Sequence, residues 1–342
     1  MRSRSPRHPT ARILALAAAA ALLGGSPARA DAPPPPGGLI PGLLSGLSGG
    51  GGQPQATAPG ADTPPPSGAC AAGPPVPGDR TITLSSAGLT RTAVLHLPPA
   101  AAGSPVALIV AFHGFDSDAA HFARDSGLST LGDQQHYAVV YPGTLGTRWA
   151  ISGRERDVIF ASDLLDRVES LACIDTRRIY ATGVSMGAGM AARVGCELSS
   201  RIAALVLVAG GYRSLPPCRA DRPLSVLEIH GTSDTSVPYH GQGQGYDGAV
   251  LPYISGWAAR DHCGPTPTKR LVAAHTVLYR WTGCASGALV EHLRIYGSGH
   301  GLPNAPGSEI SSGNRSPISG VRNIWHFLAS RTLSRPFADS DG

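Results

Sequence analysis

The sequence predicts an α/β fold, a doubly wound and mostly parallel sheet with an antiparallel N-terminal edge. Three observations carry this expectation. Continuous apolar runs, of which residues 105–112 are the clearest, have no polar side and read as strands buried on both faces. Such runs alternate with segments of helical period, as successive βαβ units do. Two early segments, 80–84 and 90–97, alternate polar and apolar residues instead, which suits an antiparallel pair at a sheet edge.

Before these strands the chain reads as unfolded. Arg2 to Arg12 form a basic stretch, Ile13 to Leu23 an apolar stretch too short to span a bilayer, and Ala28-Arg29-Ala30 a small-residue cleavage site. Residues 1–30 are therefore expected to be a signal peptide, removed on export. Residues 31–67 are rich in Pro and Gly and bury too little apolar surface to offset their ordering entropy, so a disordered linker is expected. A single catalytic domain over 68–335 and a short tail over 336–342 complete the organisation.

The elements follow in order. After the edge pair and the 105–112 strand comes a helix over about 119–131, then a strand over 137–141. The 157–171 segment is a helix, with Val158, Ala161, Leu164, Leu165 and Val168 on one face. A strand over 178–184 leads into an Ala-rich helix over 186–194, which contains no Pro. Strands over 203–209, 225–230 and 291–296 follow, and a last helix over about 318–328 carries Ile318, Val321, Ile324, Trp325 and Leu328.

Charge excludes one class of partner. The formal net charge of the 342 residues is +5, but Arg2, Arg4, Arg7, Arg12 and Arg29 lie within the first thirty residues, a stretch without acids. The remainder is balanced, so no nucleic-acid partner is expected. Nor is a membrane anchor, since no later stretch is apolar enough to span a bilayer and no cysteine closely follows the leader. Six cysteines in an exported chain read as disulfides, and six allow 15 pairings that spacing cannot separate.

The chemistry centres on Gly183-Val184-Ser185-Met186-Gly187, a G-x-S-x-G motif between the 178–184 strand and the following helix. That context presents a serine Oγ on a tight turn at a helix N-terminus, as a nucleophile elbow does. A serine needs a base, and the base an orienting acid, in the chain order serine, acid, histidine. Asp234, in the loop after the 225–230 strand, is the leading acid, with Asp221, Asp247 and Asp261 as rivals. His300, between glycines just past the 291–296 strand, is the leading base; His230, His240, His262, His275, His292 and His326 are rivals, of which His230 and His292 lie inside strands and read as structural. The oxyanion of a tetrahedral intermediate would be held by backbone N–H groups of Met186 and Phe115, the second in the loop His113-Gly114-Phe115-Asp116 that His113 supports.

A set of motifs carries a family resemblance. His113-Gly114, Tyr141-Pro142, Trp149, Asp157-Val158, the run from Cys173 to Gly187, His230 to Asp234, Val237-Pro238-Tyr239 and Gly297 to His300 together resemble the secreted feruloyl esterase and polyhydroxybutyrate depolymerase family. The resemblance covers roughly Cys70 to Leu333 and departs from the family pattern at Ala188 and at Gly301-Leu302, beside the expected base. It implies an α/β-hydrolase fold and carries a triad onto Ser185, Asp234 and His300. It also implies that Trp149 lies near the substrate, and His113 is expected to join it in binding substrate. For the cysteines it implies Cys70–Cys173, Cys196–Cys218 and Cys263–Cys284. The function expected is a secreted serine carboxylesterase, monomeric, acting on small or polymer-borne esters without cofactor or metal. The same triad order also serves serine peptidases and envelope-lipid acyltransferases, and a non-catalytic binding protein could keep the scaffold.

Overall fold

The computed structural model describes residues 76–102, 104–153, 155–212, 214–241, 249–304 and 318–333. The expected signal peptide, linker and tail, together with Cys70 and Asp247, lie outside the described residues. In chain order the strands are β1 (Gly78–Ser86), β2 (Leu89–Leu97), β3 (Val106–Phe112), β4 (Tyr137–Pro142), β5 (Ile174–Val184), β6 (Ala204–Val208), β7 (Ser225–Gly231), β8 (Thr268–Ala273), β9 (Thr276–Trp281) and β10 (Val290–Ile295). They form one mixed sheet in the order β1-β2-β4-β3-β5-β6-β7-β10-β9-β8. The six central strands, β4 through β10 in that order, run parallel. β1 and β2 are antiparallel at one edge, as expected, and β9 and β8 form a second antiparallel edge.

Among the described residues six α-helices cover both faces: α1 (Ala119–Asp125), α2 (Leu128–Gln135), α3 (Arg156–Leu171), α4 (Met186–Glu197), α5 (Val250–Arg260) and α6 (Gly320–Leu328). All seven residues of β3 are buried, and they divide by alternation. Val106, Leu108, Val110 and Phe112 share a core with α3, α4 and α5 through Leu164, Met190, Ile254 and Trp257. Ala107, Ile109 and Ala111 share the other core with α1, α2 and α6 through Ala123, Leu128, Ile324 and Leu328. Each large apolar side chain so buried contributes on the order of 1.5–3 kcal/mol. The chain thus has the α/β architecture its apolar runs predict, wound on both sides of the sheet.

Three features depart from the sequence reading. The helix expected over 119–131 is broken at Ser126 and Gly127, where Gly127 takes a φ of +75° that a helix cannot continue through. α5 is not among the expected elements, and its sequence holds Pro252 and Gly256. Pro252 falls in the first turn, where its missing N–H is not needed. The hairpin of β8 and β9 also escaped notice: its two-residue turn, Ala274-His275, lacks the usual Asn-Gly signal, and His275 itself takes a φ of +58°.

One buried ion pair ties the edge to the centre. Arg91 of β2 meets Asp157 of α3 at 2.8 Å, with both side chains almost fully buried. Asp157 also accepts the Ala150 N–H at 2.7 Å, and Arg91 donates to the Gly143 carbonyl at 3.1 Å. The loop between β4 and α3 is therefore held from both ends.

Candidate active site

Ser185 occupies the turn between β5 and α4 with φ +58° and ψ −123°, a backbone conformation that side chains rarely adopt. The neighbouring glycines explain how the turn fits. A Cβ at Gly183 would lie 2.2 Å from the Gly187 carbonyl oxygen, and one at Gly187 would lie 2.1 Å from that of Phe112. The Ser185 N–H donates to Val208 O of β6 at 2.9 Å, which pins the elbow to the sheet.

Asp234 lies in the loop after β7 and is buried. Its Oδ1 accepts the N–H groups of Ser236 (2.9 Å) and Val237 (2.8 Å), so the side chain shapes its own loop. Its Oδ2 accepts from His300 Nδ1 at 2.8 Å. That bond leaves Nε2 of His300 as the imidazole's free lone pair when the ring is neutral. Burial alone would raise the Asp234 pKa, but hydrogen bonds from His230 and His300 outweigh it and hold the carboxyl well below its usual range.

The acid and base loops are joined by backbone. Thr232 N donates to Ile295 O at 2.9 Å, Ser233 N to Ser298 O at 3.0 Å, and Gly297 N to the Thr232 hydroxyl at 3.0 Å. β5, β7 and β10 all deliver their loops to the carboxyl edge of the parallel strands, so Ser185, Asp234 and His300 share that edge.

The loop after β3 packs beside the elbow. A Cβ at Gly114 would be 3.5 Å from the Cβ of Ser185. The Met186 N–H opens α4, and the Phe115 N–H lies in the turn that follows Gly114. Trp149 is buried below this loop, where its indole N–H donates to His113 O at 2.8 Å and its ring meets Phe112 edge-on at 5.3 Å. His113 is buried too, with Nδ1 donating to Gly114 O at 2.8 Å; burial holds its pKa below the usual value. Trp149 and His113 therefore brace the loop, the role the sequence suggested for His113. Phe115 is half-exposed and carries Arg148 over its ring at 4.4 Å.

Of the rival acids and bases, His230 touches Asp234, its Nε2 3.2 Å from Oδ2. Asp261 ends α5 with its Oδ2 on the Leu224 N–H, and burial pushes its carboxyl up to about 6. Asp221 belongs to a loop tied to Ser199. His275 is in the β8–β9 turn, His262 follows α5, and His326 is on α6. His230 and His292 are fully buried against one carboxylate, Glu228, which the sequence reading passed over. A glutamate inside the apolar strand Ser225–Gly231 was the signal available for it. A cleft of about 960 Å³ between α4 and α5 is lined by Arg193, Tyr212, Pro216, Tyr253 and Trp257, with no contribution from Ser185, Asp234 or His300.

Two disulfides are present among the described residues, Cys196–Cys218 and Cys263–Cys284, both as the resemblance implied. The third expected pair reaches Cys70, outside the described residues.

Residues 91–214, which hold the elbow and the loop after β3, match the family model for esterase PHB depolymerase. Over that stretch, about a third of its length, the chain is similar to esterases of the polyhydroxybutyrate depolymerase type. Feruloyl esterase D of Neurospora crassa is 28% identical over 285 residues, covering 77% of this chain and 90% of the relative. A bifunctional acetylxylan esterase/xylanase of Neocallimastix patriciarum is 28% identical over 240 residues, covering 68% of this chain. This chain spans 32% of that relative's length, about a third. The acetyl xylan esterase structure from Aspergillus awamori aligns with a TM-score of 0.56 at 14% identity, over 73% of this chain and 99% of that one. The chain thus has the α/β-hydrolase fold.

Proposed function

We propose that the protein is a secreted serine carboxylesterase that works through an acyl-enzyme. The observation that carries this reading is the 2.8 Å bond from His300 Nδ1 to buried Asp234, on the sheet edge where Ser185 sits in its strained turn. In the proposed cycle His300 Nε2 takes the Ser185 proton as Oγ attacks the ester carbonyl. Asp234 keeps the imidazole in the required tautomer and stabilises its cation. The Met186 and Phe115 N–H groups hold the oxyanion, His300 returns the proton to the leaving alcohol, and water repeats the cycle. No metal or cofactor enters these steps.

The substrate class proposed is the feruloyl or acetyl ester of plant cell-wall polysaccharide, or a hydroxyalkanoate oligomer. The names of the relatives, acetylxylan esterase and feruloyl esterase, support the first two. Export is supported by the two disulfides, which suit an oxidising compartment, and by the leader-like N-terminus. The protein is proposed to act as a monomer, without membrane anchor or nucleic-acid partner. The test is a panel of methyl ferulate, acetylated xylan and 3-hydroxybutyrate oligomers. Turnover of at least one, lost in Ser185→Ala, supports the reading; turnover unaffected by that substitution overturns it.

A further inference from the structure

Behind the Asp234–His300 pair lies a second histidine whose surroundings are unusual. His230 is almost fully buried, and both of its ring nitrogens face acceptors only. Nδ1 is 2.9 Å from Glu228 Oε1. Nε2 is 2.9 Å from Val237 O and 3.2 Å from Asp234 Oδ2, the same oxygen that receives His300. Carboxylates and carbonyls do not donate, so a ring satisfied on both sides carries a proton on both nitrogens.

We propose that His230 is a positioning residue, an imidazolium held between Glu228 and Asp234 that fixes the Asp234 carboxylate on His300 and sets the pH at which His300 becomes a base. The inference rests on the esterase reading above for its kinetic part and on geometry alone for the charge.

The rest of the environment agrees. Burial works against a charged His230, yet Glu228 and Asp234 raise its pKa to about 10. Burial likewise works against ionised Glu228, and His230 and His292 bring it down to about 2. Other groups pack around this pair. From the loop after β6, the Tyr212 hydroxyl bonds Glu228 Oε1 at 3.2 Å, and Tyr253 of α5 stacks on the Tyr212 ring at 3.7 Å. From β10, His292 brings Nδ1 to 2.6 Å from Glu228 Oε2, and its Nε2 lies 2.7 Å from the Tyr239 hydroxyl. Tyr279 of β9 packs on His292, and Arg294 of β10 lies over Tyr239 and Tyr296. Glu228 is thus a counter-ion for His230, and the two together add no net charge beside Asp234.

Removing His230 alone leaves the Glu228 charge uncompensated behind Asp234. That negative field favours the protonated form of His300, so a higher pH is needed to free the base. The experiment has two arms. In the first, protein labelled with 15N-histidine is titrated by NMR. One ring, assigned to His230 through its couplings, stays protonated on both nitrogens up to about pH 8, well above the ordinary histidine range; a His230 ring that deprotonates near neutrality overturns the proposal. In the second, kcat, KM and the rate of fluorophosphonate labelling are measured against pH for His230→Gln and for the charge-balanced Glu228→Gln/His230→Gln pair. In His230→Gln the acid limb moves up by about one pH unit, and kcat falls roughly 10- to 100-fold with KM within about twofold, as a misplaced base requires. In the double variant the limb returns towards its original pH while kcat stays low. A folded His230→Gln whose acid limb does not move shows a purely structural role and overturns the proposal. If only the double variant folds, an unchanged kcat does the same. Wild-type protein that fails to react with the fluorophosphonate sinks the esterase reading instead, and the NMR arm still decides the charge.

Discussion

Gly231 and Ser298 touch so closely that no side chain fits between them: a Cβ on Gly231 would sit 2.1 Å from the Ser298 carbonyl oxygen. This contact seats the acid loop on the base loop, three residues before Asp234 and two before His300. Gly231→Ala must therefore push the loops apart. The expected result is a kcat reduced by about 100-fold, the order of loss for a catalytic group displaced by about 1 Å, and a melting temperature lower than wild type. Steady-state kinetics beside circular dichroism checks it; a folded variant with wild-type kcat contradicts the role given to this contact.

The second prediction concerns the strain at Ser185. Ser185→Ala should abolish both ester turnover and fluorophosphonate labelling at nearly unchanged stability, since alanine keeps the same backbone penalty. Ser185→Gly should be equally inactive but more stable by about 1 kcal/mol, because glycine tolerates the φ of +58°. Chemical denaturation of the two variants separates these outcomes. Equal stability of both would mean that the turn is unstrained.

The third concerns pH. Glu228 has a folded pKa of about 2 against an ordinary 4.5, so it contributes stability above 4.5 that is lost as pH falls towards 2. His230 has a folded pKa of about 10 against an ordinary 6.5, so it contributes stability below 6.5 that is lost as pH rises through 10. Asp234, also depressed, adds to the loss on the acid side. The melting temperature should be highest between pH 4.5 and 6.5 and fall on both sides, with a flatter profile in Glu228→Gln/His230→Gln. Differential scanning fluorimetry across pH is sufficient, and a wild-type melting temperature that climbs steadily from neutral pH to pH 10 would refute the assignment.

The fourth concerns the Cys263–Cys284 bridge, whose sequence separation is 21 residues. Closing a loop of that size in the unfolded chain contributes roughly 3 kcal/mol in the entropy model. The bridge joins the end of α5 to the segment that leads into β10, and β10 delivers His300. Cys263→Ser with Cys284→Ser should accordingly lower kcat at temperatures well below the melting transition, beyond its effect on stability. A folded double variant with unchanged kcat would show that the bridge serves stability alone.

Local chemistry wrote much of this molecule into the sequence. β3 could be read from eight residues because a strand buried on both faces has no polar side. The elbow could be read from Gly183 and Gly187, because a strained serine turn admits no neighbouring Cβ, and Asp234 and His300 could be read from their places just past apolar strands. Where sequence reading failed, a local signal pointed the wrong way. Gly127 breaks a helix that apolar spacing alone would continue.

Only the tertiary structure decided what stands behind the proposed triad. Glu228 and His292 are 64 residues apart, and they meet because β10 pairs with β7 in a register that puts them opposite each other. Spacing along a chain reports which face a residue takes, whereas the energy of a buried charge depends on what the neighbouring strand brings to that face. A carboxylate buried without any hydrogen-bond partner would give up its charge. Between His230 and His292 Glu228 keeps it, and that depends on the strand order β6-β7-β10, which no periodicity in the sequence specifies.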